Sequence, residues 1–161
     1  MPGSLLQRAR FMVRLALTLA KRALPSAAGV PVATIDPDEA LIEALQTGDL
    51  AALDCYGPRL ALGQDRFGSP LFFVALETGS LTAVTWFLDQ GASATRPDRS
   101  GRLPLEAVIQ RATHADDLDD HTTDCAAMAR ALIARGASLA ARSVTGQPLS
   151  DLAASAGLEL P

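Results

Sequence analysis

The chain has 161 residues, is 48% hydrophobic and 20% charged, and carries a formal net charge of −4 at pH 7. That suffices for one modest domain with an appendage. Two cysteines make neither a disulfide framework nor the paired spacing of a zinc site. The charge is unevenly divided, because residues 1–35 hold five basic residues and no acid, and the remainder holds 9 basic and 18 acidic residues. Such asymmetry predicts two parts with different partners, and the acidic part argues against nucleic acid.

Residues 1–24 read as a basic amphipathic helix. No Gly or Pro interrupts Ser4 to Leu24, and at 100° per residue Arg8, Arg10, Arg14, Lys21 and Arg22 share one side. Leu5, Leu6, Met12, Val13, Leu17 and Leu24 fall on the other, and Phe11 intrudes on the basic side. The uncharged run Leu15 to Ala20 is too short to cross a bilayer. Lys21-Arg22 also stands where a secretory signal would need its cleavage region. Three roles fit this helix. It can lie on an anionic membrane surface, fill a groove on a partner protein, or pack on the rest of the chain or a second copy. Residues 25–36, with Pro25, Gly29 and Pro31, read as a linker.

A first helix is expected after Asp36, as its N-cap, with Pro37 at the first helical position. Gly48 ends it, and Leu50, Leu53 and Tyr56 mark a second helix before Gly57-Pro58. Then comes an echo. Asp65-Arg66-Phe67-Gly68 is repeated 33 residues on by Asp98-Arg99-Ser100-Gly101. Gly68 and Gly146 each precede Pro-Leu by two places, Ala by seven and Gly by eleven, and after Gly101 the Pro comes one place later.

Each Pro suits the first turn of a helix, since it lacks an amide hydrogen and pre-sets φ. Leu71, Phe72, Ala75 and Leu76 then follow with helical spacing, and Gly79 ends the stripe. Leu81, Val84, Phe87 and Leu88 make a second stripe that closes on Gly91, and Trp86 reads as a packing residue. Polar, Pro-containing stretches between units read as turns or hairpins.

Gly91 to Gly136 and Gly101 to Gly146 are both 45 residues, so one insertion of about twelve residues interrupts the 33-residue period. It falls over 113–124. From His114 to Asp124 it gathers both histidines and five aspartates. Oxygen and imidazole groups can bind a divalent cation, which makes His114, Asp117 and His121 weak metal candidates. The spacing matches neither an EF-hand nor any zinc pattern, and a solvated loop or a protein-contact loop explains it as well. Cys55 and Cys125 fall in second helices of different units, read as free thiols suited to a reducing compartment.

Together these marks resemble the ankyrin repeat family, whose unit runs Gly-x-Thr-Pro-Leu-His-x-Ala-Ala, then Gly, then a Leu-Leu and Gly-Ala end. The resemblance covers about residues 37–157. Its Thr is replaced or displaced here, and its His is absent from all copies. It implies an all-α solenoid of stacked helix pairs with hairpin loops. The units would be an N-terminal cap (37–64), repeats over 65–97 and 98–142, and a C-terminal cap (143–161). Two antiparallel helices cannot bury their apolar faces alone, and stacked neighbours complete the core.

In that family, partners usually meet the hairpin tips and the exposed side of each first helix. Carried over by position, the tips are Arg66 and Phe67, then Arg99, Ser100 and Arg102, then Ser143 and Val144. The helix positions are Glu77, Thr78, Gln110 and Arg111. Arg66, Arg99, Arg102 and Arg111 would suit an acidic or phosphorylated protein, and Phe67 would serve as an anchor. A bland reading has these arginines paired with nearby aspartates such as Asp65 and Asp98.

The expected function is a non-enzymatic protein-interaction module, an adaptor or scaffold without cofactor, cytoplasmic or peripheral to a membrane. Ala/Arg-rich composition fits a bacterial source. Two alternatives stand beside it. One is a regulatory or inhibitory protein for one cognate enzyme, and the other is a metal-dependent hydrolase using the His/Asp insertion. The chain has no nucleophile triad or phosphate loop to support an enzyme.

Overall fold

A computed structural model of the chain describes residues 32–114 and 121–161. The basic helix read over 1–24, residues 25–31 of the linker, and the middle of the acidic insertion lie outside the described residues. Among those described the protein is all-helical. The helices are α1 (Glu39–Thr47), α2 (Leu50–Tyr56), α3 (Pro58–Ala61), α4 (Phe72–Thr78), α5 (Leu81–Asp89), α6 (Pro104–Thr113), α7 (His121–Ala134) and α8 (Leu149–Ser155). Strand-type pairing among the described residues is limited to isolated bridges, at Thr34 with Gln64, Gln64 with Pro70, and Arg142 with Pro148.

The helix starts follow from side-chain oxygens at their caps. Asp38 opens α1, its carboxylate accepting the Leu41 amide at 2.8 Å. The start expected at Asp36 therefore moves two residues on, with Pro37 before the cap rather than inside the helix. Asp49 accepts the amides of Ala51 and Ala52 at the start of α2. Ser80 accepts from Ala83 to open α5, and its hydroxyl also donates to Leu45 O. Pro104 stands at the first turn of α6, whereas Pro148 is the residue just before α8.

Two kinds of glycine end the helices. Gly91 and Gly136 have φ of 99° and 100°, where a side chain is strained. The amides that follow them reach back to Phe87 O at 2.9 Å and Leu132 O at 3.0 Å. Gly79 has an ordinary φ of −83° and is needed for space, because a Cβ there would stand 2.5 Å from Ala75 O. Gly157 occupies the matching place in sequence, yet its φ is 69° and the chain turns there as it does at Gly91.

The helices pair as α1 with α2, α4 with α5, and α6 with α7. First helices pack in one row, α1 against α4, α4 against α6, α6 against α8, and second helices in another, α2 against α5 and α5 against α7. Each row buries the stripe expected from spacing. Phe72, Ala75 and Leu76 of α4 and Val84, Phe87 and Leu88 of α5 are buried. Phe72 and Phe87 stack with centroids 5.7 Å apart, and Trp86 meets Phe87 edge-on at 5.3 Å. Trp86 is buried, its indole donating to Asp54 of α2 at 2.7 Å, so it ties two second helices together.

Three local departures from expectation have physical reasons. The end of the stretch read as a linker is part of the fold, since Ala33 and Ile35 exchange backbone hydrogen bonds with Gln64 at 2.9 Å each. The short helix α3 follows Gly57 and seats Leu60 and Ala61 in the core. By the register of Gly91 and Gly136, α7 would begin at Ala126. It begins at His121, so part of the insertion is helix and not loop.

Cys55 lies in α2 and Cys125 in α7, both as free thiols. Burial raises the Cys125 thiol above its usual range; Arg111 opposes this and Asp124 adds to it.

Phe87 is fully buried between the two helix rows. Phe87→Ala should therefore lower unfolding free energy by about 3–5 kcal/mol in urea titrations, with an unchanged helical far-UV spectrum before the transition.

A candidate interaction ridge at the hairpin tips

The three echoes are the same hairpin built three times. At the first residue of each tip the amide donates to the carbonyl four residues on: Asp65 to Ser69 at 2.8 Å, Asp98 to Arg102 at 2.9 Å, Ser143 to Gln147 at 2.8 Å. The fourth residue is Gly68, Gly101 or Gly146, with φ of 86°, 88° and 84°. Each donates back to the first residue's carbonyl.

A side-chain oxygen then fills the turn. Asp65 Oδ1 accepts the amides of Phe67 and Ser69, and Asp98 Oδ1 those of Ser100 and Arg102. Ser143 Oγ accepts the Gln147 amide at 3.2 Å and bonds the Thr145 hydroxyl. The aspartates are thus turn builders, a role that spacing alone did not reveal.

The tips lie side by side. Arg99 crosses from the second tip to donate to Phe67 O of the first at 2.9 Å. Val144 of the third lies beside Gly101 of the second, its Cγ1 3.9 Å from where a Cβ would stand. Phe67 is 58% exposed and Val144 53%. The Arg66 guanidinium sits 4.8 Å from the Phe67 ring centroid, and neither Arg66 nor Arg99 forms an ion pair among the described residues. Ser100 is exposed and bonds Asp98 through its hydroxyl at 2.6 Å, while Ser143 is buried.

The other two arginines expected on this face are used inside the fold. Arg102 pairs with Glu77 and with Asp98 Oδ2 at 3.1 Å, donates to Gln110 Oε1 at 3.3 Å, and stands 5.4 Å from the Phe73 ring centroid. Burial pulls its pKa down, but the Glu77 and Asp98 carboxylates outweigh that and hold it above the usual value. Arg111 donates to Leu76 O at 3.0 Å and Gly79 O at 2.8 Å, so it caps the carbonyl end of α4 from the neighbouring α6. Arg135, which sequence reasoning passed over, does the same for α5 through Leu88 O at 2.8 Å and an ion pair with Asp89. Of the remaining helix positions, Thr78 bonds back to Val74 O at 2.8 Å and is exposed.

Glu106 also went unremarked in the sequence. It is 1% exposed, and its carboxylate accepts from Leu103 N, Val144 N and Gln110 Nε2 at 3.3–3.5 Å. It therefore holds the third tip against α6. A glutamate three places after a helix cap was the available signal, hidden because Leu103, not Ser or Thr, precedes Pro104.

Of the weak metal candidates, Asp117 lies outside the described residues and nothing of the His121 side chain is described. His114 is exposed, with Nδ1 2.7 Å from Gln110 O. Among the described residues no three His, Cys, Asp or Glu side chains converge. Arg8, Arg10, Arg14, Lys21 and Arg22 lie outside the described residues, and no described helix is long and apolar enough to cross a membrane.

Burial pushes the Asp98 carboxyl up, but hydrogen bonds from Ser100 and Arg102 prevail and hold it below its ordinary value. The folded pKa is thus depressed, so its contribution is complete above the unfolded value of about 4. It is lost as pH falls through the folded pKa. Asp98→Asn should cost about 1–2 kcal/mol near neutral pH. The gap between variant and wild type in urea titrations should close as pH falls below about 4.

No protein-family model matches the chain, and no curated protein matches it closely.

Proposed function

We propose that this chain is a non-enzymatic protein-interaction module of the ankyrin-repeat type, an adaptor or scaffold whose partner docks on the hairpin tips. The observation that carries this reading is the row of three tips built on one hydrogen-bond scheme, with Arg66, Phe67, Arg99 and Val144 turned outward. Two exposed apolar side chains flanked by two guanidiniums without acidic partners among the described residues suit an acidic or phosphorylated segment. Apolar anchors supply contact area, and arginines bind carboxylate or phosphate in bidentate fashion. Because backbone hydrogen bonds and the turn carboxylates already fix the tips, little ordering entropy is lost on docking. Repeat caps over 37–64 and 143–161 and a membrane- or partner-seeking helix over 4–24 belong to the same proposal.

Charge reversal at the two exposed arginines tests it. Arg66→Glu with Arg99→Glu, and separately Phe67→Ala, should weaken capture of a cross-linked partner by at least about tenfold. The exposed helix control Thr85→Lys should leave capture unchanged. Equal capture by all three would remove the tips from the interface.

The basic N-terminal helix has its own test. Since Ala33 and Ile35 belong to the fold, the truncated chain should begin at Val32. Full-length protein should co-sediment with vesicles containing phosphatidylserine, and binding should fall as salt rises, each cation near the surface contributing about 1 kcal/mol. The chain from Val32 should stay in the supernatant.

A further inference from the structure

A groove distinct from the tip ridge lies beneath the first hairpin, between its base, the start of α4 and the loop that follows α5. Its volume is about 180 Å³. Leu62, Phe72, Phe73 and Ala92 supply apolar wall, and Ser93 and Arg96 the polar edge. No acidic residue lines it.

Leu62 is 52% exposed at its mouth, while Phe72 and Phe73 are buried and form a rigid wall. Ser93 is occupied, its hydroxyl accepting the amides of Thr95 at 3.3 Å and Arg96 at 3.1 Å. That turn sets the backbone of Arg96. The Arg96 guanidinium is exposed and has neither ion pair nor hydrogen bond among the described residues.

An apolar space of ~150 Å³ holds one benzene-sized group, so this groove takes one ring or one branched aliphatic side chain. The same few residues add a single cation. A ligand that matches both carries an apolar side chain with a carboxylate close to it. A terminal residue of a peptide has that arrangement, because its α-carboxylate is one bond from the carbon bearing the side chain.

We propose that this groove binds the C-terminal apolar residue of a partner peptide, with the side chain against Leu62, Phe72 and Phe73 and the carboxylate on Arg96. Nothing in this inference requires the tip ridge, so the two can fail separately.

The test uses the full chain labelled with ¹⁵N and two probes, N-acetyl-phenylalanine and N-acetyl-phenylalaninamide. The probes share the side chain and differ in the carboxylate. The acid should shift the amides of Leu62, Gly63, Ala92 and Ser93 saturably and leave those of Phe67 and Arg99 in place. The amide probe should bind about tenfold more weakly, as should the acid to Arg96→Ala, through loss of a charge-assisted contact. Phe67→Ala should leave the titration unchanged. Because Arg96 is exposed and without partners among the described residues, its replacement leaves the fold intact, which the remaining amide shifts report. Absence of saturable shifts at the groove amides, equal affinity for the two probes, or shifts confined to the tips would overturn the proposal.

Discussion

A side-chain oxygen at the first position of each hairpin is the contact on which the rest of the structure depends. At Asp65, Asp98 and Ser143 it draws amides of the tip inward, and a glycine three places later turns the chain back. With the turn closed, Pro70, Pro104 and Pro148 arrive where a helix begins, and the apolar stripes of α4, α6 and α8 face their neighbours. Without it the backbone donors of the tip would need water or partners elsewhere, and the spacing between helix pairs would be undefined. The same turn therefore serves stability and the exposed ridge together.

Arginines divide between the interior and the ridge by where the neighbouring pair places acceptors. Arg111 and Arg135 reach the carbonyl ends of α4 and α5 in the adjoining pair, where unsatisfied carbonyls and the helix dipole favour a cation. Arg102 lies between Glu77 and Asp98. Arg66 and Arg99 have no such acceptors among the described carboxylates. Arg66 stacks on Phe67, and Arg99 spends one donor on Phe67 O, leaving the rest of its fork to solvent. The bland reading of aspartates quenching the tip arginines holds for Asp98, whose Oδ2 pairs with Arg102 while Oδ1 serves the turn, and fails for Asp65, which pairs with no arginine among the described residues.

Much of the helical layout was legible because glycine and proline mark it. Gly91 was read as a helix end from position, and its left-handed backbone, repeated at Gly136 45 residues on, carries that out. Less could be read where one chemistry has two neighbouring outlets. Asp36 and Asp38 are both plausible caps on either side of Pro37, and only the reach of Asp38 Oδ1 to Leu41 N separates them. Gly79 and Gly157 share a place in the pattern, yet one is needed for close approach to Ala75 O and the other for a positive φ. The insertion hid a helix start, because a run of aspartate and histidine has no apolar period to announce one.

The order and spacing of the helix pairs, the buried stripes and the hairpin positions were determined by the sequence itself. They rest on local causes, namely a 3.6-residue apolar period, residues that stop helices, and a repeated turn. Which arginines are free for a partner, how Glu106 pins the third tip, and that a groove beside Arg96 exists at all were decided only by the tertiary structure. Each depends on atoms 25 or more residues apart, and no local period or spacing encodes which distant carbonyl, carboxylate or amide a side chain will find.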